Sequence, residues 1–140
     1  MGEERVPYII PVPDEVSQPF WDAVQERRLI VQQCSGCNTL QYPPRATCQD
    51  CNSDQLTWKE TSGKGHVLTW GVLEDSHLPV RAADQPLNLA VITLDEDPDI
   101  NFYSNLPGLP PKQVPVGAAV EVYFEEVGPG QLIHEFRLVQ

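Results

Sequence analysis

The four cysteines of this chain constrain its fold more than any other feature. They are Cys34, Cys37, Cys48 and Cys51, spaced C-x2-C-x10-C-x2-C in "CSGCNTLQYPPRATCQDC", and the 140 residues contain no other cysteine. Two residues between paired cysteines let both sulfurs point inward from a tight turn, and "SG" and "QD" suit such turns. Two of these knuckles form a tetrahedral four-sulfur site without an open position for water. The spacing therefore predicts a structural zinc site.

Other interpretations of the cysteines have to be weighed against zinc. Iron in a rubredoxin-type site would have the same geometry. A redox CxxC pair is the minor alternative, because such a motif opens a helix after a strand, whereas Cys34 follows "LIVQQ" into a hairpin. Two disulfides would need an oxidising compartment. The N-terminal "MGEERVPYIIPVPDEV" has neither a basic start nor an uninterrupted apolar run, and no eighteen apolar residues follow one another. We therefore expect a cytoplasmic protein with no membrane segment.

Residues 1–28 are predicted to form an arm and a helix. Three prolines within the first sixteen residues favour an extended arm that lies over a surface. A helix is indicated from Ser17, which is a candidate N-cap, with Pro19 in the first turn and "FWDAVQERR" after it.

Residues 29–62 are predicted to form the ribbon. Short strands over Leu29–Gln33 and Gln55–Ser62 flank the knuckles. Between the knuckles, "YPPR" predicts a stiff loop that presents Arg45 outward.

Residues 63–140 are predicted to form a small barrel. After "SGKG" come five stretches rich in β-branched and aromatic residues: "HVLTWGVLED", "LNLAVITLDE", "INFYSNL", "AAVEVYFEEV" and "LIHEFRLV". In the fourth, Val120, Val122 and Phe124 alternate with Glu121, Tyr123 and Glu125, which predicts one buried and one solvated face. The OB-fold is the five-stranded candidate. Its usual helix between the third and fourth strands has no room in "PGLPPKQVPVG", which favours an open, loop-bridged barrel mouth. The predicted fold class is therefore mainly β: an N-terminal helix, a rubredoxin-like zinc ribbon and a five-stranded OB-fold barrel.

The order of these segments resembles a known family over about the whole chain. The features that carry the resemblance are the "FW" helix, the strand leading into the first CxxC, "YPPR" before the second, the Trp58 strand, and "SGKG" opening the barrel. Taken singly they are weak, but in this order they are specific to the zinc-ribbon/OB-fold acyl-CoA-associated protein family. Its members are small subunits or domains that assemble with thiolase-like enzymes, thiolase-fold aldolases, hydroxymethylglutaryl-CoA synthases or MaoC-like hydratases.

The resemblance implies a function in acyl-CoA chemistry. It implies an accessory subunit in lipid or steroid metabolism that binds a thiolase or thiolase-fold aldolase and helps to form the site for its CoA thioester. An accessory subunit of a MaoC-like enoyl-CoA hydratase is the alternative within the same class. Zinc would be structural, and a CoA thioester is the expected ligand.

Several side chains of this chain could contact the acyl-CoA or the partner. The phosphorylated head of CoA needs cations, and its pantetheine arm needs an apolar groove. The aromatic "FW" at the helix start and the ribbon loop are expected to anchor the partner, because buried aromatics dominate interface energies. The candidate contacts are Phe20, Trp21, Arg28, Tyr42, Arg45, Lys64, Trp70 and Arg81.

No complete active site is expected within the chain. His66, His77 and His134 have no serine or cysteine nucleophile placed beside them by the sequence, and every cysteine is committed to metal. The acidic run "DEDPD" at 95–99 is interpreted as a solvated turn, since an EF-hand needs a glycine and a terminal glutamate that are absent here. We therefore expect the catalytic residues to belong to the partner enzyme.

Single-stranded nucleic-acid binding is the alternative from a different class, since zinc ribbons and OB barrels both serve it. Twenty acidic against nine basic residues give a net charge of −11, which repels phosphate. From Gly65 to Gln140 the only cationic side chains are Arg81, Lys112 and Arg137. The charge therefore argues against a nucleic-acid partner.

Overall fold

The computed structural model describes residues 11–74, 86–110 and 112–139. Within them the chain forms one helix and two antiparallel sheets, so the predicted mainly β class is confirmed. None of the helical structure in these residues is long and apolar enough to cross a membrane. The elements are α1 (Gln18–Gln25), β1 (Ile30–Cys34), β2 (Leu40–Gln41), β3 (Leu56–Glu60), β4 (Lys64–Leu73), β5 (Leu87–Leu94), β6 (Asp97–Ser104), β7 (Ala119–Gly128) and β8 (Gln131–Leu138).

The helix α1 begins where the sequence predicts but ends three residues earlier. Ser17 occupies the N-cap position without a side-chain bond into the helix. Its hydroxyl instead accepts the Asp14 amide at 3.0 Å, while Asp14 Oδ1 accepts the Ser17 amide at 2.7 Å. At the other end Arg27 adopts φ 61°, and the Arg28 amide donates to Ala23 O at 2.9 Å. This is the hydrogen-bond pattern of a Schellman motif, which stops the helix before "ERR".

The ribbon sheet has the order β2-β1-β3. Its central strand β1 pairs with both neighbours, and Cys34 lies opposite Leu56 at the end of the β1–β3 ladder. Ile30 and Val31 of β1 are buried and belong to the same core cluster as the barrel residues. The ribbon therefore packs on the barrel and shares its core.

The barrel sheet has the order β6-β5-β4-β7-β8, with all neighbours antiparallel. Its two edge strands, β6 and β8, are joined through side chains. Ser104 Oγ accepts the Phe136 amide at 2.8 Å and donates to the buried Glu135 carboxylate at 2.7 Å. The same carboxylate accepts the Asn105 amide at 3.2 Å. These bonds draw the two edge strands together and curl the sheet in the way expected of an OB-fold.

Two glycines of "SGKG" are required by the start of the barrel. Gly63 has φ +73°, and a Cβ there would lie 2.4 Å from Val122 Cγ1. A Cβ on Gly65 would lie 2.3 Å from the Thr93 carbonyl oxygen of the neighbouring strand. A side chain at either position would therefore displace β4 from its neighbours.

The proline-rich segment between β6 and β7 has no helix in its described residues, as predicted. The expected open mouth is not observed, however. Leu106 and Val114 of this segment are buried within the core cluster. The Asn88 side chain also accepts the Leu106 amide at 2.6 Å and donates to its carbonyl at 2.9 Å. The loop fills this end of the barrel because its apolar side chains turn inward.

The predicted alternation along β7 is only partly present. Val120 is fully buried, but Glu121 to Glu125 are all intermediate in exposure. Val122 and Phe124 pack against the core without being enclosed by it. The two faces differ less than expected because β7 pairs with β4 over only three residues, so much of its length lacks a second neighbouring strand.

Candidate metal centre and partner surface

The two knuckles of the ribbon repeat one local structure. The first cysteine of each pair, Cys34 or Cys48, is buried, and the second, Cys37 or Cys51, is exposed. After each pair comes an asparagine with positive φ, and its amide donates to the carbonyl of the first cysteine. Asn38 has φ 65° and a bond of 2.8 Å to Cys34 O, and Asn52 has φ 62° and a bond of 3.0 Å to Cys48 O.

Asparagine tolerates this left-handed conformation better than most residues. This role of the two asparagines was not predicted, although the repeated string C-x-x-C-N carries the signal.

The four sulfurs lie close enough to share one metal ion. All are within 4.8 Å of one another, with Cys34 Sγ 3.5 Å from Cys51 Sγ and Cys37 Sγ 3.6 Å from Cys48 Sγ. Zinc–sulfur bonds of about 2.3 Å in a tetrahedron would place the sulfurs about 3.8 Å apart. The two closest printed separations differ from this value by a few tenths of an ångström, so the cluster has the size that a zinc ion requires. The four predicted ligands are brought together.

Backbone amides favour the thiolate form of the first knuckle. The Cys37 amide and then the Gly36 amide lower the pKa of Cys34. The hydroxyl of Thr39, followed by its backbone amide, lowers the pKa of Cys37 to about 6. The second knuckle has the matching contact, in which the Asp50 amide lies 3.4 Å from Cys48 Sγ. Thiolates are the form that binds metal, so the first knuckle is prepared for a cation.

At Cys51, the fourth thiol, the neighbouring thiols change the pKa in the opposite direction. The Ser53 amide lowers the pKa of Cys51, but the neighbouring thiols and burial outweigh it and raise that pKa to about 12. The last of four clustered thiols to ionise would be surrounded by negative charge. A divalent cation at the centre removes this penalty.

The loop between the knuckles is held by two buried glutamines that the sequence analysis did not identify. Gln32 Oε1 accepts the Arg45 amide at 2.8 Å, and its Nε2 donates to Arg45 O at 2.9 Å. Gln41 Nε2 donates to Gln32 Oε1 at 2.8 Å, and Gln41 Oε1 accepts the Gln49 amide at 2.8 Å. The sequence signal that could have revealed these two glutamines is the presence of polar residues on strands of an apolar ribbon. The stiff loop is thus explained by side-chain bonds as well as by its prolines.

The aromatic candidates of the helix and loop lie deeper than predicted. Phe20 is 1 % exposed and belongs to the chain's own core, which leaves it no surface for a partner and corrects its assignment as a contact. Tyr42 belongs to the ribbon loop that is expected to anchor the partner, a role that requires an exposed ring. Its ring instead lies 4.1 Å from that of Phe102 and 5.4 Å from that of Phe20, and burial raises its pKa to about 12. Trp21 is half-buried at the edge of this cluster.

The cationic candidates occupy different settings. Arg28 forms ion pairs of 3.0 Å with both Glu26 and Glu60, so its guanidinium is engaged within the chain. Arg45 is exposed on the fixed loop, as predicted, and Lys64 is exposed at the start of β4. Trp70, the remaining candidate of β4, is partly buried against the core. The candidate Arg81 and the loop residue His77 both lie outside the described residues.

His134 of β8 lies within an aromatic cluster. Its ring is 5.2 Å from Phe20, 5.6 Å from Trp21 and 5.4 Å from Phe102. Its Nδ1 atom is buried and has no hydrogen-bond partner among the described residues. Burial lowers the pKa of His134 to about 4, so the ring is neutral at pH 7.

Comparisons with known proteins give the same two-part organisation. Residues 21–57 match the ChsH2 rubredoxin-like zinc ribbon domain, and residues 58–125 match the ChsH2 C-terminal OB-fold domain. Among solved structures, "Ltp2-ChsH2(DUF35) aldolase" superposes with a TM-score of 0.80 at 28% identity, covering 91% of this chain and 98% of that one. A DUF35-family protein of unknown function from Sulfolobus solfataricus shares the fold, with a TM-score of 0.64 at 17% identity over 89% of this chain and 86% of that one.

Two curated relatives are also similar in sequence. One is a probable enoyl-CoA hydratase alpha subunit from Thermomonospora curvata, 32% identical over 119 residues. The match covers 84% of this chain but only 36% of that protein. The other is a DUF35 domain-containing scaffold protein from Pyrococcus furiosus, 29% identical over 118 residues and 82% of each chain. The chain therefore belongs to the ChsH2 family, in which a rubredoxin-like zinc ribbon is joined to an OB-fold domain.

Proposed function

We propose that this chain is a non-catalytic accessory subunit that binds a thiolase-like enzyme, a thiolase or thiolase-fold aldolase, and helps to form the site for its CoA thioester. One observation carries the proposal: the chain superposes on 98% of a chain in the solved structure "Ltp2-ChsH2(DUF35) aldolase", with a TM-score of 0.80. The name "scaffold protein" for a relative of similar length supports a role in assembly.

A hydratase partner is the second candidate. It is favoured by the name of the Thermomonospora relative, a probable enoyl-CoA hydratase subunit. This chain spans about a third of that protein, so the remaining two thirds could carry the activity in its name.

The metal has a structural role in this proposal. Cys34, Cys37, Cys48 and Cys51 would hold zinc as four thiolates, which leaves the metal no position for substrate. Bound zinc would fix the two knuckles to one another and thereby fix the loop between them. We also propose that residues 1–28, 29–62 and 63–140 act as arm and helix, ribbon and barrel.

The proposed partner contacts are those candidates that the fold leaves accessible. Arg45 is exposed on a loop whose backbone Gln32 holds at both its amide and its carbonyl. A fixed loop loses little conformational entropy when it binds. Trp21 is half-buried near the start of α1, and Lys64 is exposed where the barrel begins. Because Tyr42 supports the core, Arg45 alone is the residue to replace in a test of docking.

The proposed function is tested by co-purification and reconstitution. The tagged chain is expressed in its source cells, and the enzyme that co-purifies is identified by mass spectrometry. We expect an aldolase or thiolase whose turnover of a CoA thioester requires this chain, while the chain alone shows none. A hydratase as the co-purifying enzyme would favour the second candidate. Turnover by the purified chain alone would contradict the non-catalytic role.

The docking loop is tested within the same assay. Arg45→Ala should weaken assembly, whereas Lys59→Ala, which removes an exposed cation from β3 of the same ribbon, should not. Equal affinities for the two variants would exclude Arg45 as a contact.

A further inference from the structure

The outer face of the barrel strands β4, β5 and β6 carries an apolar surface. Among the described residues six large apolar side chains are exposed, and three of them, Leu68, Leu89 and Tyr103, belong to these strands. Tyr103 lies directly opposite Val91 of β5, and Leu89 follows Val91 on the same face. Leu68 is the extra residue of a bulge in β4, a feature that re-aims side chains. The resulting β4–β6 face consists of Leu68, Thr69, Gly71, Leu89, Val91 and Tyr103.

The β4–β6 face lacks the charged side chains that usually cover the outside of a barrel. The strand residues that form it and their neighbours contain no Asp, Glu, Lys or Arg over 67–73, 87–94 and 100–104, although 21% of the chain is charged. A sheet with one face on the core normally presents polar side chains to water on the other. Exposed apolar side chains that share one surface mark a site of protein–protein interaction.

Gly71 lies within this surface, opposite Leu89. Its φ is outside the left-handed region, and a Cβ there would meet no atom within 4 Å. Gly65 of the same strand differs, because a Cβ there would lie 2.3 Å from the Thr93 carbonyl oxygen. Glycine weakens the interior of a strand, so nothing in the described part of the chain explains its presence at position 71. A glycine in a strand also marks a place where another molecule approaches the backbone closely.

The charge of the chain indicates which molecule occupies the β4–β6 face. A net charge of −11 keeps copies of this chain apart and repels phosphate, so the occupant is a different protein with an uncharged apolar surface. Tyr103 also lines a groove together with Tyr42 and Pro43 of the ribbon loop. The β4–β6 face therefore continues into the loop that carries Arg45, the proposed contact with the enzyme partner.

We propose that the β4–β6 face is a docking surface for that enzyme, which places an apolar side chain against the backbone at Gly71, beside Leu89. The inference rests on the proposed function for the identity of the partner. It adds a second, uncharged part to the interface, next to the cationic contact at Arg45.

The test begins with the fold of the isolated, zinc-loaded chain. Gly71→Val should resist urea at least as well as the wild type, because valine is favoured in strands and would meet no described atom there. A clearly lower urea midpoint would show that the chain itself fills this space, and it would overturn the proposal.

Binding is then measured by isothermal titration calorimetry with the aldolase or thiolase that co-purifies with the chain. Gly71→Val should weaken assembly at least about tenfold, because the valine takes the space of the partner's side chain. Leu89→Gln should weaken it at least about threefold, since a polar group would be buried in the contact. Val139→Gln is the matched control and should leave assembly unchanged, because Val139 is 46% exposed, against 42% for Leu89, but lies outside the β4–β6 face.

The outcomes separate the docking surface from the proposed function. Equal affinities of the wild type and Gly71→Val for the enzyme, or equal losses in Leu89→Gln and Val139→Gln, would overturn the docking surface and leave the proposed function in place. A wild-type chain that binds no such enzyme would contradict both. Sedimentation of the wild-type chain alone should show a monomer; a dimer that Gly71→Val abolishes would assign the face to a second copy and overturn the proposal.

Discussion

Gln25 and Leu132 are joined by two hydrogen bonds that run in opposite directions. Gln25 Nε2 donates to Leu132 O at 3.0 Å, and the Leu132 amide donates to Gln25 Oε1 at 2.9 Å. Leu132 belongs to β8, an edge strand of the barrel that pairs with β7 alone among the strands of the described residues. The side-chain amide of α1 therefore makes the two bonds that a neighbouring strand would have made. This contact fixes the helix against the barrel and occupies hydrogen-bonding groups at the β8 edge of the sheet, which another strand could otherwise pair with.

Removing this amide should loosen α1 from the barrel. Gln25→Ala should lower the free energy of unfolding by about 1–2 kcal/mol, because two exposed hydrogen bonds are lost. Gln25→Glu should have an intermediate effect, since a carboxylate accepts the Leu132 amide but cannot donate to its carbonyl. Urea denaturation of the zinc-loaded protein measures both. The control is Gln18→Ala, which removes a hydrogen bond within the same helix; an equal loss in that variant would show that Gln25 has no special role.

Loss of the metal should unfold the ribbon. Structural zinc contributes about 10 kcal/mol or more of folding free energy in small zinc domains. A strong chelator or Cys48→Ala should therefore remove the metal and the ordered ribbon, and the exposed core residues of β1 should make the protein aggregate. Elemental analysis and circular dichroism measure the two effects. Properly folded wild-type protein that contains neither zinc nor iron would contradict the site.

The two asparagines that follow the knuckles should be replaceable by glycine but not by branched residues. Asn38→Gly and Asn52→Gly should retain zinc, because glycine adopts positive φ without strain. Asn38→Val and Asn52→Val should cost about 1–3 kcal/mol each in a zinc-loaded fold, since β-branched side chains are strained there. Competition with a chromogenic chelator compares the zinc affinities. Equal affinities of the glycine and valine variants would show that the observed backbone conformation is not required.

His134 should make the fold sensitive to acid. Its pKa is about 4 in the fold, against 6.5 for an ordinary histidine, so between these values the unfolded chain binds more protons. Above pH 6.5 protonation of His134 leaves the free energy of unfolding at its full value. As the pH falls, this one group lowers the free energy of unfolding, by about 3 kcal/mol at pH 4.

His134→Phe should remove this dependence and should stabilise the protein at neutral pH, because a buried nitrogen that has no hydrogen-bond partner among the described residues is replaced by an aromatic ring carbon. Urea denaturation of the wild type and of His134→Phe is measured from pH 7 to pH 4.5. The difference between their free energies of unfolding isolates the effect of His134, because metal release and carboxylate protonation affect both proteins alike. Free energies of unfolding that change with pH in parallel in the two proteins would contradict this role of His134.

The sequence by itself determined the features that depend on local spacing. The four cysteines, the start of α1 with Pro19 in its first turn and the five β segments of the barrel can all be recognised within short windows. Each is specified by residues fewer than about twenty positions apart, where turn chemistry and strand periodicity apply. The order of these segments was enough to identify the family.

Only the tertiary structure decided which side chains meet across the chain. Gln25 and Leu132 are 107 positions apart, and Ser104 and Glu135 are 31 apart. Tyr42 looked like a surface residue of a loop, but β6 brings Phe102 against it. Local periodicity of the sequence cannot predict such pairs, because they form only when packing brings distant elements together and buries their apolar surface.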